Sequence, residues 1–175
     1  EKGLADHEKI SRSRTVIRLH RGLIGVGLIS KLTSTIVWSA RVWSTVRQLG
    51  PSCINCHSLS VLPICVLLKS ALGAKLIYDT HELETETVAS VGLRKVLAKL
   101  VERLLISSAD EVVTVNDYIS MWYQQNYNLP RVWSVENVPP RQSSIPEMTS
   151  LFRDEFSVPD NDLIFLYQGE FGRGR

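Results

Sequence analysis

The sequence predicts an α/β fold in which a parallel sheet carries helices on both faces. Three observations lead there. Short apolar runs alternate with stretches of helical length and helical apolar spacing. Connections of that length imply parallel crossovers and not hairpins. The strand candidates Leu76-Ile77 and Val112-Val113 are apolar on successive residues, as in sheets covered on both sides.

The elements follow in order. Val16-Ile17-Arg18-Leu19 is a short strand candidate. Gly22, Gly25 and Gly27 lead into a long helix that ends near Gln48, with Gly50 as C-cap and Pro51 beyond it. Cys53 to His57 is a second strand. Ser58 or Ser60 can cap the helix that runs to Leu72, with Pro63 in its first turn and Gly73 closing it. Lys75 to Asp79 is a third strand. From Arg94 to Ile106, apolar residues at 96, 97, 100, 101, 104 and 105 have helical spacing. Glu111 to Val115 is a β-branched strand. Asn116 or Asp117 caps a helix through Tyr127. Arg131 to Glu136 is a strand stopped by Asn137-Val138-Pro139-Pro140, residues 141–146 read as linker, and Glu147 to Phe156 as a short helix. Leu163 to Tyr167 is a last apolar strand, followed by Gly169, Gly172 and Gly174.

Composition places the chain among ordinary globular proteins. It has 175 residues, 44% hydrophobic and 22% charged, enough for a core without disulfides or metal. The net charge is +2, unevenly spread: residues 1–75 hold 11 Lys/Arg and 3 Asp/Glu, and the remainder 9 and 15. A basic half suits phosphates, anionic headgroups or nucleic acid. The stretch Gly22 to Leu49 is interrupted by Lys31, Arg41 and Arg47, so a spanning helix is not expected. A core-packed helix with a basic rim is favoured there, and a membrane-surface helix comes second. No secretory leader is read.

Cys53-Ile54-Asn55-Cys56 has the spacing of redox and zinc sites. Neither His57 nor Cys65 completes a zinc pattern, and in a strand the two thiols face opposite sides. Buried free thiols and a reducing cytoplasm are the expectation, with no metal site.

Ligands of open parallel sheets bind beyond the carboxyl ends of the strands. Those ends carry His57 and Ser58; Asp79, Thr80, His81, Glu82 and Glu84; Asn116 and Asp117; Glu136 and Asn137; and Gln168 to Arg173. Each residue alone is compatible with loop capping, but five polar strand ends on one rim point to a site. His81, then His57, are the strongest candidates for proton transfer or hydrogen bonding near neutral pH. Asp79, two residues before His81, is placed to orient a ring nitrogen. Glu82, Glu84 and Glu86 read as a solvated acidic run, and not as a hydrolase carboxylate pair. Gly169, Gly172 and Arg173 resemble a phosphate-binding loop, though the spacing is neither G-x-G-x-x-G nor a Walker loop.

Several segments together carry a family resemblance. They are Ile54-Asn55-Cys56-His57-Ser58, Tyr78-Asp79-Thr80-His81-Glu82, Glu102-Arg103 followed by Ala109-Asp110-Glu111-Val112-Val113-Thr114-Val115-Asn116, Glu136-Asn137-Val138-Pro139, and Tyr167-Gln168-Gly169 with Gly172-Arg173-Gly174. In order and spacing over roughly residues 50–175 they resemble family 4 glycosyltransferases of the GT-B fold. The resemblance implies a Rossmann-like, acceptor-side N-terminal domain over 1–140, a linker and short helix over 141–162, and over 163–175 the first strand and Gly-rich loop of an incomplete nucleotide-sugar-binding domain. The strand and Gly-rich loop with which the family begins have no counterpart before Ser13, so the first βα unit is expected to be missing.

What the resemblance implies for function is sugar transfer from a nucleotide-sugar donor to a glycan or lipid-linked acceptor, with retention and with no cofactor or required metal. His81 would face the transferred sugar. His57, Asp79, Glu82, Asn116 and Asn137 would line the substrate site, and Gly169, Gly172 and Arg173 would meet the donor phosphates. The chain is expected to be cytoplasmic, with peripheral contact to an anionic membrane, no nucleic-acid partner, and no activity as an isolated fragment. The alternatives are another GT-B enzyme, such as a nucleotide-sugar epimerase, and a non-catalytic Rossmann-like binding module.

Overall fold

A computed structural model describes residues 6–20, 27–86, 92–139 and 150–167. The chain divides into two compact units, Glu1–Glu136 and Asn137–Arg175, each described by itself.

The first unit opens on a two-stranded antiparallel ribbon, β1 (His7–Lys9) and β2 (Thr15–Ile17), with His7 opposite Ile17. The expected first strand thus pairs back on the residues before it, and stands apart from the parallel sheet. Helix α1 (Leu28–Leu49) ends where Gly50 turns left-handed at φ 56° and its N–H reaches the Val46 carbonyl at 3.0 Å. This helix is not core-packed. Ile29, Leu32 and Ile36 are exposed, only Ser34 of its described side chains is buried, and it packs against the next helix.

The main sheet is fully parallel in the order β3 (Cys53–Cys56), β4 (Lys75–Thr80), β5 (Glu111–Thr114), β6 (Trp133–Ser134). Cys56 lies opposite Tyr78, and Thr80 opposite Thr114. The connecting helices are α2 (Leu62–Leu72), α3 (Gly92–Leu105, continued by a 3₁₀ turn at Ile106–Ser108) and α4 (Asp117–Tyr127). Ser58 and Ser60 do not cap α2. Ser58 Oγ instead accepts the Ser60 N–H at 3.2 Å, and Pro63 starts the helix where its missing N–H costs nothing. Asn116 does cap α4, its Oδ1 accepting the Ile119 N–H at 2.9 Å.

The strands stand in chain order, and residues of α2, α3 and α4 join β4 and β5 in one core cluster. The burial follows. Leu76, Tyr78 and Thr80 of β4 and Val112 and Thr114 of β5 are buried with Cys56, Leu62, Ile106 and Tyr123. The alternate residues Cys53, Asn55 and Lys75 are exposed, and Ile77, Asp79, Glu111 and Val113 half-buried. Cys53 is therefore an exposed thiol, while Cys56 and Cys65 are buried; all three are free. A hydrogen bond between the buried pair lowers the pKa of Cys56 and raises that of Cys65.

Two carboxylates organise the packed side. Glu102 on α3 is fully buried and accepts hydrogen bonds from Tyr78 Oη at 2.9 Å, Tyr123 Oη at 2.9 Å and Tyr127 Oη at 2.6 Å. Burial, reinforced by the Glu102 charge, holds the Tyr78 and Tyr123 hydroxyls far above the usual phenol range. With Glu102 turned inward, α3 packs through Ala98, Val101 and Leu105. Leu93, Val96, Leu97, Leu100 and Leu104 are left on an exposed stripe. Asp110, just before β5, binds Lys69 Nζ at 2.7 Å, the Leu76 N–H at 2.8 Å and Lys75 Nζ at 3.0 Å, which holds its pKa well below the ordinary carboxylate range.

In the second unit, α5 (Leu151–Phe156) stacks Phe152 on Phe156, and Arg153 reaches the carbonyls of Pro159 and Asp162. Leu163–Tyr167, expected as a strand, is irregular and exposed. A strand needs a neighbour to satisfy its N–H and C=O groups, and among the described residues none pairs with it.

Two predictions follow from these carboxylates. Tyr78→Phe removes one donor from a buried carboxylate and is expected to lower unfolding stability by roughly 1.5–3 kcal/mol in urea denaturation. Asp110 has a folded pKa below its unfolded value, so its contribution is present above about pH 4 and is lost as pH falls through the folded pKa. Asp110→Asn is expected to lower the melting temperature at pH 7, by a margin that shrinks steadily as both proteins are acidified below pH 4.

Candidate functional site at the carboxyl ends of the parallel strands

β3 ends at Cys56 and β4 at Thr80, so His57 and His81 leave their strands on the same edge of the sheet. The alternation of side chains puts 53, 55 and 57 on the face of 75, 77, 79 and 81, away from α2–α4. The Cys56–Tyr78 register then sets His57 beside Asp79.

The resulting cluster is tight. His57 Nδ1 lies 3.2 Å from His81 Nε2 and 3.2 Å from Asp79 Oδ2. The two rings are nearly parallel, 8° apart with centroids at 5.4 Å. One donor atom from each of the three residues lies within 4.8 Å of the others, the spacing of ligands around one ion. The His57 side chain is 56% exposed and that of Asp79 is 20% exposed. His81 is also exposed, so both imidazoles can be reached from solvent.

The turn after β4 is held in place by Thr80, whose Oγ1 donates to the Glu82 carbonyl at 2.5 Å and lies 3.3 Å from Tyr123 Oη. This links the position of His81 to the core. The acidic run does not behave as a unit. Glu82 is exposed beside His81. Glu84 is half-buried, and burial raises its pKa although the Leu59 N–H partly offsets this. Glu86 is drawn down by hydrogen bonds from Lys95 and Lys99, at 2.8 and 2.5 Å. Reading the three as one solvated run misses Glu84. Its only signal in the sequence is its closeness to the strand end.

Among the other candidates, Asn116 spends its side-chain oxygen on the α4 cap. Asn137 belongs to the second unit and is exposed. Gly169, Gly172 and Arg173 lie outside the described residues. Two clefts do not include the histidines. One, of about 320 Å³, lies at the amino end of β5 beside Asp110 and Arg131, and another, of about 380 Å³, between α3 and α4 beside Lys99 and Trp122. The chemistry-bearing cluster sits on the open rim instead, and strand-end geometry outweighs concavity as a guide to it.

The sequence matches the glycosyl transferase 4-like domain over residues 8–144. The chain belongs to this family. Its fold is similar to that of a solved sucrose-phosphate synthase from Thermosynechococcus elongatus, with TM-score 0.56 and 14% identity over 82% of this chain and 72% of that chain. No curated protein sequence matches it. The α/β chain with its four-stranded parallel sheet is thus similar to part of a GT-B glycosyltransferase.

In this glycosyl transferase 4-like domain the histidines contribute little to packing, because they are exposed. His57→Ala and His81→Ala are each expected to shift unfolding stability by no more than about 0.5 kcal/mol, measured by thermal or urea denaturation.

Proposed function

We propose that the chain is the acceptor-side part of a glycosyltransferase that takes a sugar from a nucleotide-sugar donor and passes it to a glycan or lipid-linked acceptor. The observation that carries this reading is the convergence of His57, Asp79 and His81 at adjoining parallel strand ends in a chain of this family. In the GT-B arrangement a second lobe faces that rim and brings the donor, so a crevice need not be formed by one lobe alone. Sugar transfer builds positive charge on the anomeric carbon and negative charge on the departing phosphate. Hydrogen-bonding groups held at fixed positions near the sugar can answer charge as it develops.

In this reading His81 is the catalytic residue that meets the transferred sugar. His57 and Asp79 set its tautomer and orientation, and Glu82 offers an acceptor to sugar hydroxyls. Asn116 and Asn137 are proposed as outlying substrate contacts, and Gly169, Gly172 and Arg173 as donor-phosphate contacts. Retention of anomeric configuration, a cytoplasmic location and the need for no cofactor belong to the same proposal, as does inactivity of these 175 residues without a donor-binding lobe.

The acceptor side is proposed to work at an anionic membrane surface. No described helix is long and apolar enough to cross a membrane. The exposed stripe of α3, Leu93, Val96, Leu97, Leu100 and Leu104, is instead flanked by exposed Arg94 and Arg103. That pairing of leucines with arginines is what an interfacial helix requires.

Two experiments test these readings. With the domain joined to a donor-binding lobe, His81→Ala is expected to lower turnover of a nucleotide-sugar by about two orders of magnitude with folding intact. Unchanged turnover removes His81 from the chemistry. In vesicle sedimentation, the chain is expected to bind phosphatidylglycerol-containing vesicles and not pure phosphatidylcholine, and Leu97→Glu with Leu100→Glu to abolish it. Binding that survives the double substitution rejects α3 as the membrane face.

A further inference from the structure

We propose, on the reading that the leucine stripe of α3 meets a membrane, that the cleft between α3 and α4 binds the phosphomonoester headgroup of a membrane lipid. The cleft, of about 380 Å³, is lined by Lys99 and Arg103 of α3, by Trp122, Asn126 and Tyr127 of α4, and by Glu86. Sites for small ligands have volumes of about 300–1,000 Å³.

Helical spacing sets the cleft against the stripe. Lys95, Lys99 and Arg103 are each four residues apart and share one side of α3. Val96, Leu100 and Leu104, each one residue further on, lie beside that row and are exposed. The basic row therefore runs between the apolar stripe and α4. A lipid whose chains lie along the leucines brings its phosphate to the mouth of the cleft. Trp122, half-buried there, is the residue type that suits a boundary between apolar and wet surroundings.

Charge selects the headgroup. Glu86 is held by Lys95 at 2.8 Å and Lys99 at 2.5 Å, which draws its pKa down. Glu102 turns inward to three tyrosine hydroxyls, so its charge is already answered. Arg103 has no hydrogen bond or ion pair among the described residues, and its planar fork matches two phosphate oxygens. Asn126 donates one N–H to the Trp122 carbonyl at 2.9 Å and keeps a second. Three cations, Lys95, Lys99 and Arg103, against the single carboxylate of Glu86 leave a surplus of two positive charges. A phosphomonoester carries about −1.5 to −2 near neutral pH and answers that surplus. A diester carries less charge and a further substituent beyond the phosphate.

Two probes read the cleft and the membrane separately on the 175-residue chain. Glycerol 3-phosphate, a headgroup without chains, is titrated while the Trp122 indole N–H is followed by nuclear magnetic resonance, its signal assigned through Trp122→Phe. Saturable binding is expected, weakened at least ten-fold by Arg103→Gln. It is expected to be unchanged by Arg94→Gln, an equal loss of charge outside the cleft, and by Leu97→Gln with Leu100→Gln. In sedimentation, phosphatidic acid vesicles are expected to bind more chain than phosphatidylglycerol vesicles of matched surface charge. Arg103→Gln removes that difference, and the double leucine substitution abolishes binding to both. Each variant is verified as folded by circular dichroism. Absence of saturable binding, or equal weakening by Arg94→Gln and Arg103→Gln, overturns the cleft as a site. Headgroup binding without vesicle binding assigns the cleft to a soluble phosphate and overturns the lipid. Vesicle binding without preference for phosphatidic acid rejects the headgroup site and leaves the membrane face of α3 standing.

Discussion

A buried carboxylate decides how the helical layer sits on the sheet. Glu102 is fully buried with three tyrosine hydroxyls directed at it, one from β4 and two from α4. A carboxylate removed from water is tolerable only when its oxygens are met by donors, and each donor here is itself anchored in the core. The three bonds fix the rotation of α3 about its axis. The rotation brings Ala98, Val101 and Leu105 inward and turns a row of leucines outward. The core of the first unit and its exposed apolar stripe thus have one cause.

The two ends of the sheet are built differently. At the amino ends of β4 and β5, Asp110 is tied to Lys69, Lys75 and the Leu76 N–H, and the strands are clamped. At the carboxyl ends, His57, Asp79 and His81 face one another over an edge open to solvent. Clamping one end lets the other display reactive groups at fixed positions without burying them. Thr80 joins the two regimes, since its hydroxyl touches Tyr123, a donor to Glu102, and also holds the turn that carries His81.

Much of this was legible in the sequence. The parallel strands at Cys53, Lys75 and Glu111, the helices between them, the Gly50 and Gly73 stops and the Asn116 cap all rest on local signals of pattern, left-handed turns and side-chain capping. So does the grouping of His57, Asp79 and His81 on one rim, which follows from parallel direction alone. The illegible parts are those in which a distant partner decides. The first strand folds back as a ribbon because its register with His7–Lys9 is a pairing choice. Leu163–Tyr167 has the composition of a strand and no described neighbour to make it one.

The sequence by itself determined the α/β class, the order of elements and the edge on which the polar residues gather. Each depends on periodicity and chain direction, which are properties of neighbouring residues. Tertiary structure alone decided which face of α3 is buried, how Glu82, Glu84 and Glu86 differ in burial and partners, and that one nitrogen of His57 stands between His81 and Asp79. These depend on strand register and on hydrogen-bond partners that lie far apart in sequence, such as the 24 residues separating Tyr78 from Glu102. Periodicity shows that a helix has an apolar stripe; where the polar partners of a buried charge lie decides whether that stripe turns inward.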